Sequence, residues 1–349
     1  MRRKMSVTRS NHCLVILFKF TLCLLASRTI FAFTHTHLIR ASNVATTFTT
    51  TKTTTHDTTI RLWKSPSRGS SDDGATAVAT TQQATDDTTM EETYNKLATE
   101  IIQAFHAKKD GRLWLAVAGA PGSGKTTVAR NLVQHIQEQQ PELRALVVPM
   151  DGYHLTQKEM AVAGYDMKRR GAPWTFNATR MHTDLVEAHK STDRDVLLPD
   201  YSRDISDPVP DKITLEASHD IIIIEGLYVL LGTLCQELHD PDSSTNQVAA
   251  ALAKQENLVV DIHEEVQRWE PLLSLWDQTF FVEPPGGFAE NKRRLVERSL
   301  QTWTPTKTDL WGGGTDREAA TRRVEFNDER NAQLINCCKR FASFVIENK

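Results

Sequence analysis

The chain has 349 residues, 40% of them hydrophobic, and a formal net charge of -3. That supplies enough apolar material for a full core, and the slight acidic excess argues against a nucleic-acid surface. Of the cysteines, Cys13 and Cys23 fall near the start, while Cys235, Cys337 and Cys338 show neither disulfide spacing nor a Cys/His metal pattern. These three read as ordinary thiols, with the adjacent pair on a helix and one member facing the core.

In chain order, residues 1–32 join a basic start (Arg2, Arg3, Lys4, Arg9) to an apolar run from Leu14 to Ala26 and then to small residues ending at Ala32. This is the pattern of a signal peptide. The run is short for a spanning helix, so no stable membrane anchor is expected after its removal. From Phe33 to His56 no acidic residue occurs, and threonine dominates Thr46 to Thr59. Residues 33–89 therefore read as a disordered Thr-rich transit peptide or linker. The two parts together resemble the presequence of algae with secondary plastids, which implies plastid import; a secreted or ER-lumenal protein is the alternative. Residues 1–56 hold eight Lys/Arg and no Asp/Glu, so their loss takes the charge to about -11.

From Met90 the pattern changes to a single α/β domain, 90–349. Glu91 to Lys108 has the spacing of an amphipathic helix, and Leu113 to Ala118 that of a buried strand. Gly119, Ala120, Pro121, Gly122, Ser123, Gly124, Lys125, Thr126 and Thr127 follow, with a helix expected to Gln137. Glycines here allow a tight turn whose N–H groups surround phosphate oxygens; Lys125 reaches the outer phosphates and the Thr126 hydroxyl turns to Mg²⁺. The helix N-terminus adds its partial positive charge.

A second strand, Arg144 to Pro149, runs into Met150-Asp151-Gly152-Tyr153-His154. Asp151 there either accepts the proton of a substrate hydroxyl or is the acid of a plain Asp-Gly turn. Ile221 to Ile224 is a central strand, with Glu225 at its tip able to hold Mg²⁺ directly or through water. Strands alternating with helices predict a parallel sheet covered on both faces, with the site past the strands' carboxyl ends. Residues 233–267 read as an inserted surface excursion, polar at Asp240 to Gln247 and helical around Val248 to Lys254. In Lys292 to Arg298, Arg294 and Arg298 share one helical face, which suits either a lid that clamps phosphates or an exposed basic helix. Thr306-Lys307-Thr308-Asp309 matches a guanine-reading tetrad but follows Thr304-Pro305 instead of an apolar strand, and reads as a polar loop.

Gly119 to Thr127, Asp151 to His154, Arg170 to Asn177, Tyr201-Ser202-Arg203 and Glu225-Gly226 occur in the order seen in the phosphoribulokinase, uridine kinase and pantothenate kinase superfamily, which roughly residues 90–345 resemble. The resemblance implies a P-loop NTPase fold with an Arg-bearing lid. It also implies an ATP- and Mg²⁺-dependent kinase acting on a hydroxyl of a nucleoside-like, pantothenate-like or sugar-like small molecule. By the same resemblance Asp151 is the base, Lys125, Arg294 and Arg298 serve the phosphates, and Thr126 and Glu225 surround the metal. Tyr153, His154, Arg170, Tyr201 and Arg203 fall on the acceptor side, and Asn327-Asp328 with Asn331 matches a late motif placed near the nucleotide. Asn177 stands where relatives commonly carry Asp, and Ser299 where His is frequent. Relatives also suggest a homodimer. The alternative activity is a P-loop ATPase that couples hydrolysis to a protein partner.

Overall fold

The computed structural model describes residues 89–109, 111–256 and 261–349. The signal peptide at 1–32 and the Thr-rich tract up to residue 88 lie outside the described residues. Thr89 enters as the N-cap of α1 (Met90–Ala107), where its hydroxyl accepts from the Glu92 N–H and the Glu92 carboxylate accepts from the Thr89 N–H.

Three strands carry the centre of the sheet, β1 (Leu113–Gly119), β5 (Ile221–Gly226) and β6 (Gln278–Glu283), with β2 (Ala145–Pro149) and β7 (Phe344–Glu347) at its edges. Their order is β2-β5-β1-β6-β7 and every pairing is parallel. Strand alternation explains how both faces are covered. Leu113, Leu115, Val117, Ile221 and Ile223 face a layer shared with α1 and α2 (Lys125–Gln139). Trp114, Ala116, Ala118, Ile222 and Ile224 face the opposite layer, with Met181 and Leu185 of α4 (Ala178–Lys190) and Leu334 and Ile335 of α11 (Arg330–Asn336). Each of these buried isoleucines contributes about 1.5–3 kcal/mol through the water it sheds.

β3 (Val196–Ser202) and β4 (Asp207–Leu215) form a separate antiparallel hairpin, with α3 (Gln157–Ala163) nearby in sequence. Neither strand is evident from apolar patterning, because much of the hairpin is solvated. α8 (Phe288–Leu300), α9 (Pro305–Leu310) and α10 (Asp316–Arg323) are joined to a small cluster of their own, Leu295, Val296, Ala320 and Val324.

The segment 233–267 differs from the expected surface excursion. It folds as α5 (Cys235–Leu238), α6 (Ser244–Glu256) and α7 (Ile262–Gln267). Leu238, Ala249, Leu252, Ile262 and Val266 enter the larger core. Apolar positions at helical spacing bury one face of each helix, so only the polar face remains outside. The Thr306 tetrad is not a loop but lies inside α9: the Trp303 indole N–H donates to the Thr308 hydroxyl at 2.9 Å, and that hydroxyl donates to Asp316 at 2.5 Å. Thr308 thus binds the scaffold, as does Lys307, which donates to Thr302 O at 2.7 Å. Cys337 and Cys338 occupy the turn directly after α11, with Cys338 buried and Cys337 half-buried; burial pushes both thiols up. Among the described residues no helix is long and apolar enough to cross a membrane.

Candidate active site

The strand register brings three expected motifs to one rim. Glu225 at the tip of β5 pairs with Val117 of β1 on one side and with Pro149 of β2 on the other. The loop after β1 and the turn after β2 therefore flank this carboxylate.

The loop 119–124 turns through Gly122 and Gly124, whose φ values of 79° and 86° are open to glycine and strained for other residues. Gly124 is the N-cap of α2 and offers no side-chain acceptor, so the N–H groups of Lys125, Thr126 and their neighbours are left for a ligand. Ala120 and Ser123 are buried and Thr127 is exposed. The Ser123 hydroxyl is fully buried with no hydrogen-bond partner, an orphan that phosphate oxygens would satisfy. Two distant elements brace this loop: the Asn348 amide donates to Ser123 O at 2.9 Å, and Leu295 and Asn291 of α8 press against Gly122.

The Thr126 hydroxyl donates to Glu225 Oε1 at 2.8 Å. Burial raises the Glu225 carboxyl above its ordinary value and the charge of Lys125 opposes this. A hydroxyl and a carboxylate side by side are hard oxygen donors and fit Mg²⁺. No cluster of three or more His, Cys, Asp or Glu occurs among the described residues.

Asp151 lies in a single 3₁₀ turn, Met150–Tyr153, with its side chain exposed. The expected Asp-Gly turn is thus present, and it aims the acid outward. Gly152 is needed here for close approach: a Cβ would stand 2.3 Å from the carbonyl oxygen of Pro199 on β3. His154 Nδ1 lies 2.8 Å from Asp151 O. A carbonyl can only accept, so Nδ1 carries the proton and Nε2 keeps its lone pair while the ring is neutral. Burial lowers the His154 pKa and favours that form. The ring stands 3.9 Å from Phe176 and 5.0 Å from Tyr201, centroid to centroid.

Other expected residues separate. Tyr153 turns away from the cleft: it is 1% exposed, beside Asp184 of α4, and burial raises its hydroxyl pKa out of the working range. Arg170 is held within the protein, donating to Asp207 and to Leu155 O, both at 3.0 Å, and standing over the Tyr201 ring at 5.6 Å. It positions Tyr201. Arg203 is exposed on the turn after β3. Of the α8 arginines, Arg294 is bound to Glu290 at 2.8 Å and to Asn348 O at 3.3 Å. Arg298 instead lies in the fields of Asp328 and Asp151, and protein atoms around it lower its pKa. Of the two, Arg298 is the one without an acid partner on its own helix, and Asp151 is among the charges that act on it. Asn177, where relatives commonly carry Asp, is the N-cap of α4, accepting from the Arg180 N–H at 2.9 Å. Either residue type performs that task.

The late motif Asn327-Asp328 with Asn331, expected near the nucleotide, takes two directions. Residues Val324–Glu329 form a π-helical turn before α11, a geometry frequent at functional sites. Asn327 and Asn331 do not point to the nucleotide side. The Asn327 amide donates to Arg170 O at 2.9 Å and that of Asn331 to Gly171 O at 3.0 Å. Both accept from the buried Arg169, at 2.5 and 3.2 Å. Asp328 faces the other way, 3.1 Å from Arg323 and within the field of Arg298 and Lys125. The signal in the sequence was the Asn327-Asp328 and Asn331 spacing itself; both asparagines are buried here, and buried amides need partners.

A five-stranded parallel sheet with this glycine loop, helix and flanking acids is the architecture of a P-loop nucleotide-binding fold. Residues 114–241 match the model of the Phosphoribulokinase / Uridine kinase family. A Schizosaccharomyces pombe protein described as a candidate uridine kinase is 34% identical over 42% of this chain and 62% of its own length. The chain thus spans under two thirds of that relative. A pantothenate kinase of Brevibacillus brevis is 28% identical over 68% of this chain and 72% of its own. Among solved structures, one from Silicibacter sp. TM1040, described as a candidate fructose transport system kinase, superposes with a TM-score of 0.54 at 26% identity, covering 72% of this chain and 98% of that one.

Proposed function

We propose that this protein is an ATP-dependent kinase that transfers the γ-phosphoryl group of MgATP to a hydroxyl of a small metabolite. The observation that carries the reading is the shared rim: a phosphate loop with the Thr126–Glu225 pair at 2.8 Å, faced by an exposed Asp151 under the charge of Arg298. MgATP supplies the electrophilic phosphorus and part of the neutralising charge. Asp151 orients the acceptor hydroxyl and takes its proton, and the neutral His154 ring fixes the backbone from which Asp151 projects. Lys125 and Arg298 offset the charge that grows on the transferring group. The names of the relatives, uridine kinase and pantothenate kinase, support a hydroxyl acceptor.

The test is ATP consumption by the full chain with Mg²⁺ across nucleosides, pantothenate, sugars and sugar phosphates, with Asp151→Asn alongside. One acceptor should raise turnover sharply and be phosphorylated, and the variant should abolish this. Turnover that ignores every acceptor and survives Asp151→Asn would sink the reading in favour of a coupled ATPase.

A further inference from the structure

Three strands place one distant side chain behind the phosphate loop. Gly119 at the end of β1 pairs with Val282 of β6, and Val282 pairs with Ile346 of β7, so the residues after Ile346 pass beside the loop that leaves Gly119. Asn348 is buried there and fixed by its own backbone: its N–H donates to Glu283 O at 2.7 Å, and its carbonyl accepts from Arg294 of α8 at 3.3 Å. Its side-chain amide, in a buried contact, donates to Ser123 O at 2.9 Å. A carbonyl only accepts, so the nitrogen of that amide is the end turned to the loop. The amide also fills the space beside Gly124, where a Cβ would collide with Nδ2.

The direction of the Ser123 carbonyl decides what the loop offers a phosphate. A trans peptide sets its C=O and N–H in opposite directions. With the carbonyl turned into the protein, the Gly124 N–H turns away from it, and that N–H has no acceptor among the described residues. It joins the N–H groups at the start of α2 as a donor for a phosphate oxygen. Gly124 sits at φ 86°, and glycine takes either sign of φ, so the 123–124 peptide resists rotation only weakly by itself. Rotated, it would present a carbonyl oxygen to the anion.

We propose that Asn348 is a positioning residue for the nucleotide phosphates: it holds the Ser123–Gly124 peptide with its carbonyl in the protein and its N–H toward the ligand. Arg294, bound to Asn348 O and to Glu290, supports this clamp from α8. The assignment rests on the nucleotide-binding part of the reading above and is independent of the acceptor.

The test uses the full chain and MgADP. Ser-Gly occurs once in the sequence, at 123–124, so carbonyl-labelled serine with nitrogen-labelled glycine makes that peptide alone visible by NMR. Its N–H resonance should move when MgADP is added to the wild type. In Asn348→Leu, which keeps the size and removes the donor, and in Asn348→Ala, the resonance should start elsewhere and move less. The MgADP dissociation constant, read by calorimetry, should rise about 5- to 100-fold in both, the range for a buried acceptor left unmatched. The ATP KM should rise by the same factor while kcat at saturating ATP and the acceptor KM hold. An unchanged dissociation constant, a Gly124 resonance that starts and ends as in the wild type, or a fall in kcat with the ATP KM unmoved overturns the assignment. A loss confined to Asn348→Ala would trace the effect to packing and overturns it too. A wild-type chain that binds no MgADP sinks the nucleotide reading itself, whereas tight binding that is indifferent to Asn348 sinks this assignment alone.

Discussion

The hydroxyl of Thr126 and the carboxylate of Glu225 meet at 2.8 Å, joining the first turn of α2 to the tip of β5. Glu225 is 5% exposed and burial raises its pKa above 4.5. A carboxyl raised in the folded state contributes stability below its unfolded pKa and loses it as pH rises through the folded value. Glu225→Gln should therefore equal or exceed the wild-type Tm at pH 8, and that advantage should shrink towards pH 5. Mg²⁺-dependent turnover should fall in the same variant. A lower Tm at every pH would show that the charge stabilises the fold.

Asp151 makes no side-chain hydrogen bond among the described residues, and its side chain is exposed. Asp151→Asn should leave stability within about 0.5 kcal/mol. Loss of a general base should lower kcat by about 10²–10⁴-fold. ATP affinity, read by calorimetry, should be unchanged; a large loss of ATP binding would place the acid on the nucleotide.

Asn331 holds the Gly171 carbonyl and receives Arg169, so Asn331→Ala leaves both unmatched in a buried setting. A cost of about 1–3 kcal/mol in chemical denaturation is expected. Because the pinned backbone belongs to the acceptor segment, the acceptor KM should rise while the ATP KM holds. Equal rises in both would mean that the π turn supports the whole rim.

His154 is depressed below 6.5 by burial, so its neutral ring persists in the folded state at pH where the unfolded chain already takes a proton. Stability from this group is fully present above the unfolded value of about 6.5 and is lost as pH falls from there through the lower folded value. Replacing the ring by Phe should flatten that part of the stability profile between pH 7 and pH 5. An acid-side decline that is unchanged in His154→Phe would assign it to another group.

Much of the rim was legible because its signals are local. The apolar runs at 113–118, 145–149 and 221–224 and the glycine spacing from Gly119 to Gly124 each reflect a backbone requirement of their own segment. So Lys125, Thr126, Asp151 and Glu225 could be placed at strand ends without coordinates. The hairpin β3–β4 and the late strand β7 escaped because solvated or short strands leave little periodicity.

Sequence by itself determined the phosphate loop, the parallel sheet and the acids at its rim, since residue type and spacing there answer to local geometry. Tertiary structure alone decided that Asp151 acts on Arg298 while Arg294 is taken by Glu290 and Asn348, that Tyr153 turns into the core, and that Asn327 and Asn331 clasp the backbone of Arg170 and Gly171. Each depends on a partner more than fifty residues away, or on which face of a helix meets a neighbour, and spacing along a chain does not encode which charge another segment has already taken.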